Sequence, residues 1–136
     1  MRRPCHSLHA VAGTEGARGP FLSPDGAWIG FVRNAKLFKV STAGGDALAI
    51  TDVQGGPGST WDATGARIIF SRAWLSGLSI VSADGGTPTV LTTPDRDKQE
   101  IGHWWPAALP GGRVLFTIVR ATTGLNDARI TKCIDY

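Results

Sequence analysis

The chain has 136 residues, 42% hydrophobic and 18% charged, which suits one folded domain with a modest core and excludes a disordered segment. The formal charge is +3, and the arginines and lysines are scattered, with no basic stripe interleaved with aromatics. A nucleic-acid footprint is therefore absent, and no apolar run is long enough for a signal peptide or a membrane span.

Eighteen glycines and eight prolines point to many short strands joined by tight turns. Taken in chain order, an N-terminal segment (1–12) contains Cys5, His6 and His9, and its residues 7–12 form a candidate strand. A first unit (13–56) carries expected strands at 20–23, 28–32, 37–41 and 47–51. The second unit (57–101) carries strands at 59–62, 68–70, 78–82 and 87–92. The third (102–136) has strands at 103–107, 114–118 and 127–133, and no room for a fourth.

These units are copies of one pattern. Gly26, Gly65 and Gly111 each stand five residues before a phenylalanine: Phe31, Phe70 and Phe116. Leu37 and Leu78 stand seven residues before Gly44 and Gly85, Val40 and Val81 follow those leucines by three, and Thr51 and Thr92 follow the glycines by seven. The phenylalanines are 39 and 46 residues apart, the length of a four-stranded propeller blade, and no segment sustains helical spacing. The expected fold is all-β: a β-propeller fragment of two to three four-stranded blades.

The run Phe21-Leu22-Ser23-Pro24-Asp25-Gly26 followed by Trp28-Ile29-Gly30-Phe31 resembles the Ser-Pro-Asp-Gly signature of TolB-type propeller repeats, relatives of the WD repeat. Gly85-Gly86-Thr87-Pro88, Leu91-Thr92, residues 100–106 and Leu109-Pro110-Gly111-Gly112 resemble the propellers that follow the kinase domain in some bacterial receptor-like kinases. The resemblance covers roughly residues 7–130 and implies a non-catalytic binding or assembly module, extracytoplasmic in full-length relatives. Kinase motifs and a Gly-x-Ser-x-Gly elbow are missing. Residues 1–4 and 131–136 depart from the family pattern, so the chain reads as a truncated propeller.

Too few blades leave hydrophobic faces at both ends. The chain is therefore expected to partner itself, with Leu8, Ala10 and Val11 of the 7–12 strand pairing against Ala128 and Ile130 of another copy. Two such protomers would close a six-bladed ring with twofold symmetry. The ligand, if a small molecule, is not specified.

Glu100-x-x-His103 is the most suggestive polar pair, at the entry to the third inner strand. No cofactor is required, but His103, Glu100 and His9 could hold Zn²⁺ or another divalent ion, and such an ion would support a metal-dependent hydrolase. Structural hydrogen bonding is the competing reading. Trp61, Trp104 and Trp105 could stack a ligand at the channel or fill the core; on a regular strand, adjacent Trp104 and Trp105 face opposite ways. Cys5 and Cys133 are either free thiols or a bridge, which spacing does not decide.

Overall fold

Turn chemistry starts the first hairpin of each of the first two units. Ser23 Oγ donates to Asp25 Oδ1 at 2.6 Å and accepts from the Trp28 N–H at 2.9 Å, while Asp25 Oδ1 also accepts from the Ala27 N–H at 3.0 Å. The Ser23 hydroxyl, and after it the Ala27 amide, hold the Asp25 carboxyl below its ordinary range. Gly26 takes φ 73°, a left-handed turn conformation that glycine adopts without a Cβ penalty. In the second unit Asp62 has the same task, accepting from Thr64 Oγ1 at 2.8 Å and from the Arg67 N–H and Nε–H at 3.3 Å.

The computed structural model describes residues 4–134 and Tyr136. The first three residues of the N-terminal segment and Asp135 lie outside the described residues. The strands are β1 (Arg18–Leu22), β2 (Trp28–Arg33), β3 (Lys36–Ser41), β4 (Leu48–Asp52), β5 (Ser59–Trp61), β6 (Arg67–Ser71), β7 (Leu78–Ser82), β8 (Thr89–Val90), β9 (Glu100–Leu109), β10 (Arg113–Arg120) and β11 (Gly124–Ile134). They form three antiparallel up-and-down sheets, β1-β2-β3-β4, β5-β6-β7-β8 and β9-β10-β11. This is the all-β, blade-by-blade layout that the repeat implies. A 3₁₀ turn (Arg96–Lys98) precedes β9. Among the described residues no helix is long and apolar enough to cross a membrane.

Equivalent residues of the repeat take equivalent places. Phe31 pairs with Phe38 across β2 and β3, and Phe70 pairs with Ser79 across β6 and β7. The alternation of side chains along β3 and β7 sends Leu37 and Leu78 to the face opposite Phe31 and Phe70. Leu37, Ile50 and Val53 of the first unit therefore meet Trp61, Ile68, Phe70 and Val81 of the second in one buried cluster. Ile69, Leu78 and Ile80 meet Val114 and Phe116 in another. Each fully buried aliphatic or phenylalanine side chain contributes about 1.5–3 kcal/mol relative to exposure.

Residues 7–12 lie outside any strand. A strand exists through its ladder, and these residues find no ladder partner among the described residues. They lead instead into a crossing over the first sheet. The Gly45 N–H donates to Ala12 O at 3.3 Å, and Arg33 Nη1 donates to Gly13 O at 3.2 Å and Glu15 O at 3.1 Å. Leu8 and Ala10 are exposed and Val11 is half-buried. Cys5 and Cys133 are free thiols within the chain and do not bridge to each other in it.

Candidate functional site

Glu100 and His103 lie at the start of β9, both buried, in the seam between the second and third sheets. The ring Nε2–H donates to Glu100 Oε1 at 2.9 Å, and Nδ1 meets the Thr92 hydroxyl at 2.8 Å. Thr92 Oγ1 in turn accepts from the Leu78 N–H at 2.9 Å, and Glu100 Oε1 accepts from the Asp95 N–H at 3.1 Å. The backbone joins in, the His103 N–H donating to Ser76 O at 3.0 Å. Burial pushes the Glu100 carboxyl up, but hydrogen bonds from His103 and the Asp95 amide, with the charges of His103 and Arg120, outweigh it and hold the group below its ordinary value.

Both imidazole nitrogens are thus engaged, and a metal would have to displace the Glu100 or the Thr92 contact to reach either nitrogen. His9 sits in the exposed N-terminal segment with Nε2 at 3.1 Å from Ser7 Oγ. Among the described residues no group of three or more His, Cys, Asp or Glu is arranged to hold an ion. The geometry is that of a structural tie between sheets.

The tryptophans divide between core and surface. Trp61 belongs to the core rather than to a stacking surface: it is 4% exposed, its ring is 5.3 Å from that of Phe21, and its Nε1–H donates to Gly65 O at 3.0 Å. Trp104 and Trp105 do not point to opposite sides. In the β9–β10 ladder Trp104 stands opposite Thr117 and Ala107 opposite Leu115, so Trp105 and Pro106 together face Phe116. This is a β-bulge, with Trp105 at φ 53°. The bulge breaks the alternation and brings the two indoles to 5.6 Å.

Trp74, on the connection between β6 and β7, completes a surface cluster that sequence reading did not assemble. Its ring meets that of Trp104 edge-on at 5.0 Å, and Trp104 Nε1–H donates to Trp74 O at 2.8 Å. A signal was present: six residues separate Phe31 from Leu37 but eight separate Phe70 from Leu78, and the longer connection carries Trp74 and Leu75 to the surface.

Beside this cluster the connection from β4 to β5 runs through Gly55-Gly56-Pro57-Gly58. A Cβ on Gly56 would meet Ser71 O, and one on Gly58 would stand 2.8 Å from Trp105 Cα. The glycines let this backbone lie directly on the end of β6 and on the bulge, where the Trp105 N–H donates to Pro57 O at 3.0 Å.

The outer surfaces of the array differ from its internal seams. Leu22, nine residues before Phe31, is 59% exposed, while its repeat equivalent Trp61, nine before Phe70, is buried against the first sheet. With Pro20, Phe21 and Ile29 it lines a shallow apolar depression on β1 and β2. At the opposite end, β11 pairs with β10 on one side only. Ile130, opposite Thr117 in that ladder, is 76% exposed, and Ala128 on the same strand is half-buried.

No protein-family model and no curated protein matches the chain. Among solved structures it is similar to one described as "putative TolB from Agrobacterium tumefaciens", at 13% identity and a TM-score of 0.48, over 87% of this chain and 76% of that one. No residue role passes from that protein to this one at such a distance.

Proposed function

We propose that the chain is a non-catalytic binding and assembly module, a TolB-type propeller unit of the kind appended to receptor-like kinases, which completes a ring with a second copy of itself. The observation that carries this reading is the third sheet, which has three strands and an open edge on β11 where the other two sheets have a fourth strand. Residues 7–12 of another copy supply that strand, with Leu8, Ala10 and Val11 alongside Ala128 and Ile130. The same docking covers the Leu22 and Ile29 face of the first sheet with the outer face of the third. Inside the chain an equivalent face, built on Trp61 and Ile68, is already covered by the preceding sheet, so the surface chemistry needed for such a contact is present in the repeat itself.

Two protomers in which the third sheet of each meets the first sheet of the other close on themselves and leave no free edge. Light scattering at micromolar concentration is expected to give twice 14.3 kDa. Leu22→Lys combined with Ile130→Lys should yield a monomer that still unfolds cooperatively, because both side chains are exposed within the chain. A wild-type monomer, or a closed ring of three or more copies, overturns the twofold ring.

A further inference from the structure

Between the first and second sheets, on the side where β1 and β5 begin, lies an open cleft of about 260 Å³. One wall is Arg18 and Val32 of the first sheet, the other is Trp74, and the connection through Gly55 and Pro57 to Ser59 runs between them. This volume is just below the 300–1,000 Å³ range typical of drug-sized ligands, so the space suits a single ring with a short substituent.

Three properties of the lining define what such a ring would carry. Trp74 is 52% exposed, yet its ring is oriented by the edge-on contact with the Trp104 ring, and its backbone is anchored where Trp104 Nε1–H donates to Trp74 O. Arg18 is exposed and has no hydrogen-bond or ion-pair partner among the described residues, and no carboxylate lines the cleft. Its guanidinium offers a planar fork of donors suited to a carboxylate. The intervening backbone is clamped, since Gly56 and Gly58 pack on Ser71 and Trp105 too closely to admit a Cβ. A fixed aromatic wall, a fixed backbone and one uncompensated cation make a partly pre-organised site, which lowers the ordering cost of binding.

We propose that this cleft binds small planar aromatic carboxylates, the ring lying against Trp74 and the carboxylate on Arg18. The site lies within one chain and does not rest on ring closure, so it is testable on the Leu22→Lys/Ile130→Lys monomer as well as on the wild type. The proposal commits to the combination of ring and charge, which three probes separate: benzoate carries both, benzamide the ring alone and acetate the charge alone.

Calorimetric titration should show saturable benzoate binding, with benzamide and acetate each at least about tenfold weaker. Arg18→Gln should weaken benzoate by about tenfold and leave benzamide unchanged, whereas Trp74→Ala should weaken both. Both residues are exposed, and thermal unfolding of the variants verifies that the fold persists. Absence of saturation by benzoate, equal affinity for benzoate and benzamide, or wild-type benzoate affinity in Arg18→Gln would each overturn the proposal.

Discussion

Between the first and second sheets the contact is mainly hydrocarbon, with Leu37, Ile50 and Val53 meeting Trp61, Ile68, Phe70 and Val81. Between the second and third sheets a smaller apolar cluster around Ile69, Leu78 and Phe116 shares the seam with Thr92, His103 and Glu100. The His103 ring sits 4.8 Å from Phe116, so the polar tie and the apolar packing touch. The difference shows two ways of joining blades. A hydrocarbon seam depends on shape and tolerates pH, while a hydrogen-bonded seam specifies one register and answers to protonation.

The largest expected effect comes from breaking the first seam. Phe70 is fully buried, and Phe70→Ala should destabilise the chain by about 3–5 kcal/mol, read from the denaturation midpoint. A loss below 1 kcal/mol would mean that the two sheets are not joined through this side chain. Next comes the polar seam. Glu100→Ala leaves the His103 Nε2–H and the Asp95 N–H without their acceptor and should cost about 1–3 kcal/mol. An unchanged midpoint would remove the network from any account of how the third sheet is held.

The smallest effect, and the sharpest for the comparison, is in pH. The folded carboxyl of Glu100 is held below the ordinary range of a glutamate, so its ionised form contributes stability that is fully present above that range and lost as pH falls through the folded value. Urea unfolding from pH 6 down to pH 3 should therefore show a shallower acid loss in Glu100→Gln than in the wild type. Parallel profiles would show that the carboxylate charge does not matter to the seam.

How far these features were legible in the sequence varies with their range. The strands around Phe31, Phe70 and Phe116 were readable because turn residues and apolar runs recur at fixed offsets. Expected strands at 28–32, 68–70 and 114–118 became β2, β6 and β10, each longer by one residue or more. The fourth strand of the second sheet is shorter than expected, only Thr89–Val90, and β11 extends from Gly124. Those ends depend on partner length, which no local signal encodes.

The site was less legible. Glu100 and His103 stood out by residue type, but their partner Thr92 was visible only as a landmark of the repeat. Trp61 stayed open between core and channel because nothing local distinguishes a tryptophan facing a neighbouring sheet from one facing a channel. The Trp104–Trp105 pair defeated the alternation rule because the bulge depends on the Pro57 carbonyl and on the close approach of Gly58, almost fifty residues upstream.

By itself the sequence determined the repeat, the turn chemistry at Ser23–Gly26 and Asp62–Gly65, and the all-β class, since each depends on spacing or on bonds between near neighbours. Only the tertiary structure decided which faces are covered, which tryptophans meet, and that both nitrogens of His103 are already engaged. Those outcomes depend on how one sheet is rotated and stacked on the next, a relation set jointly by side chains far apart in the chain.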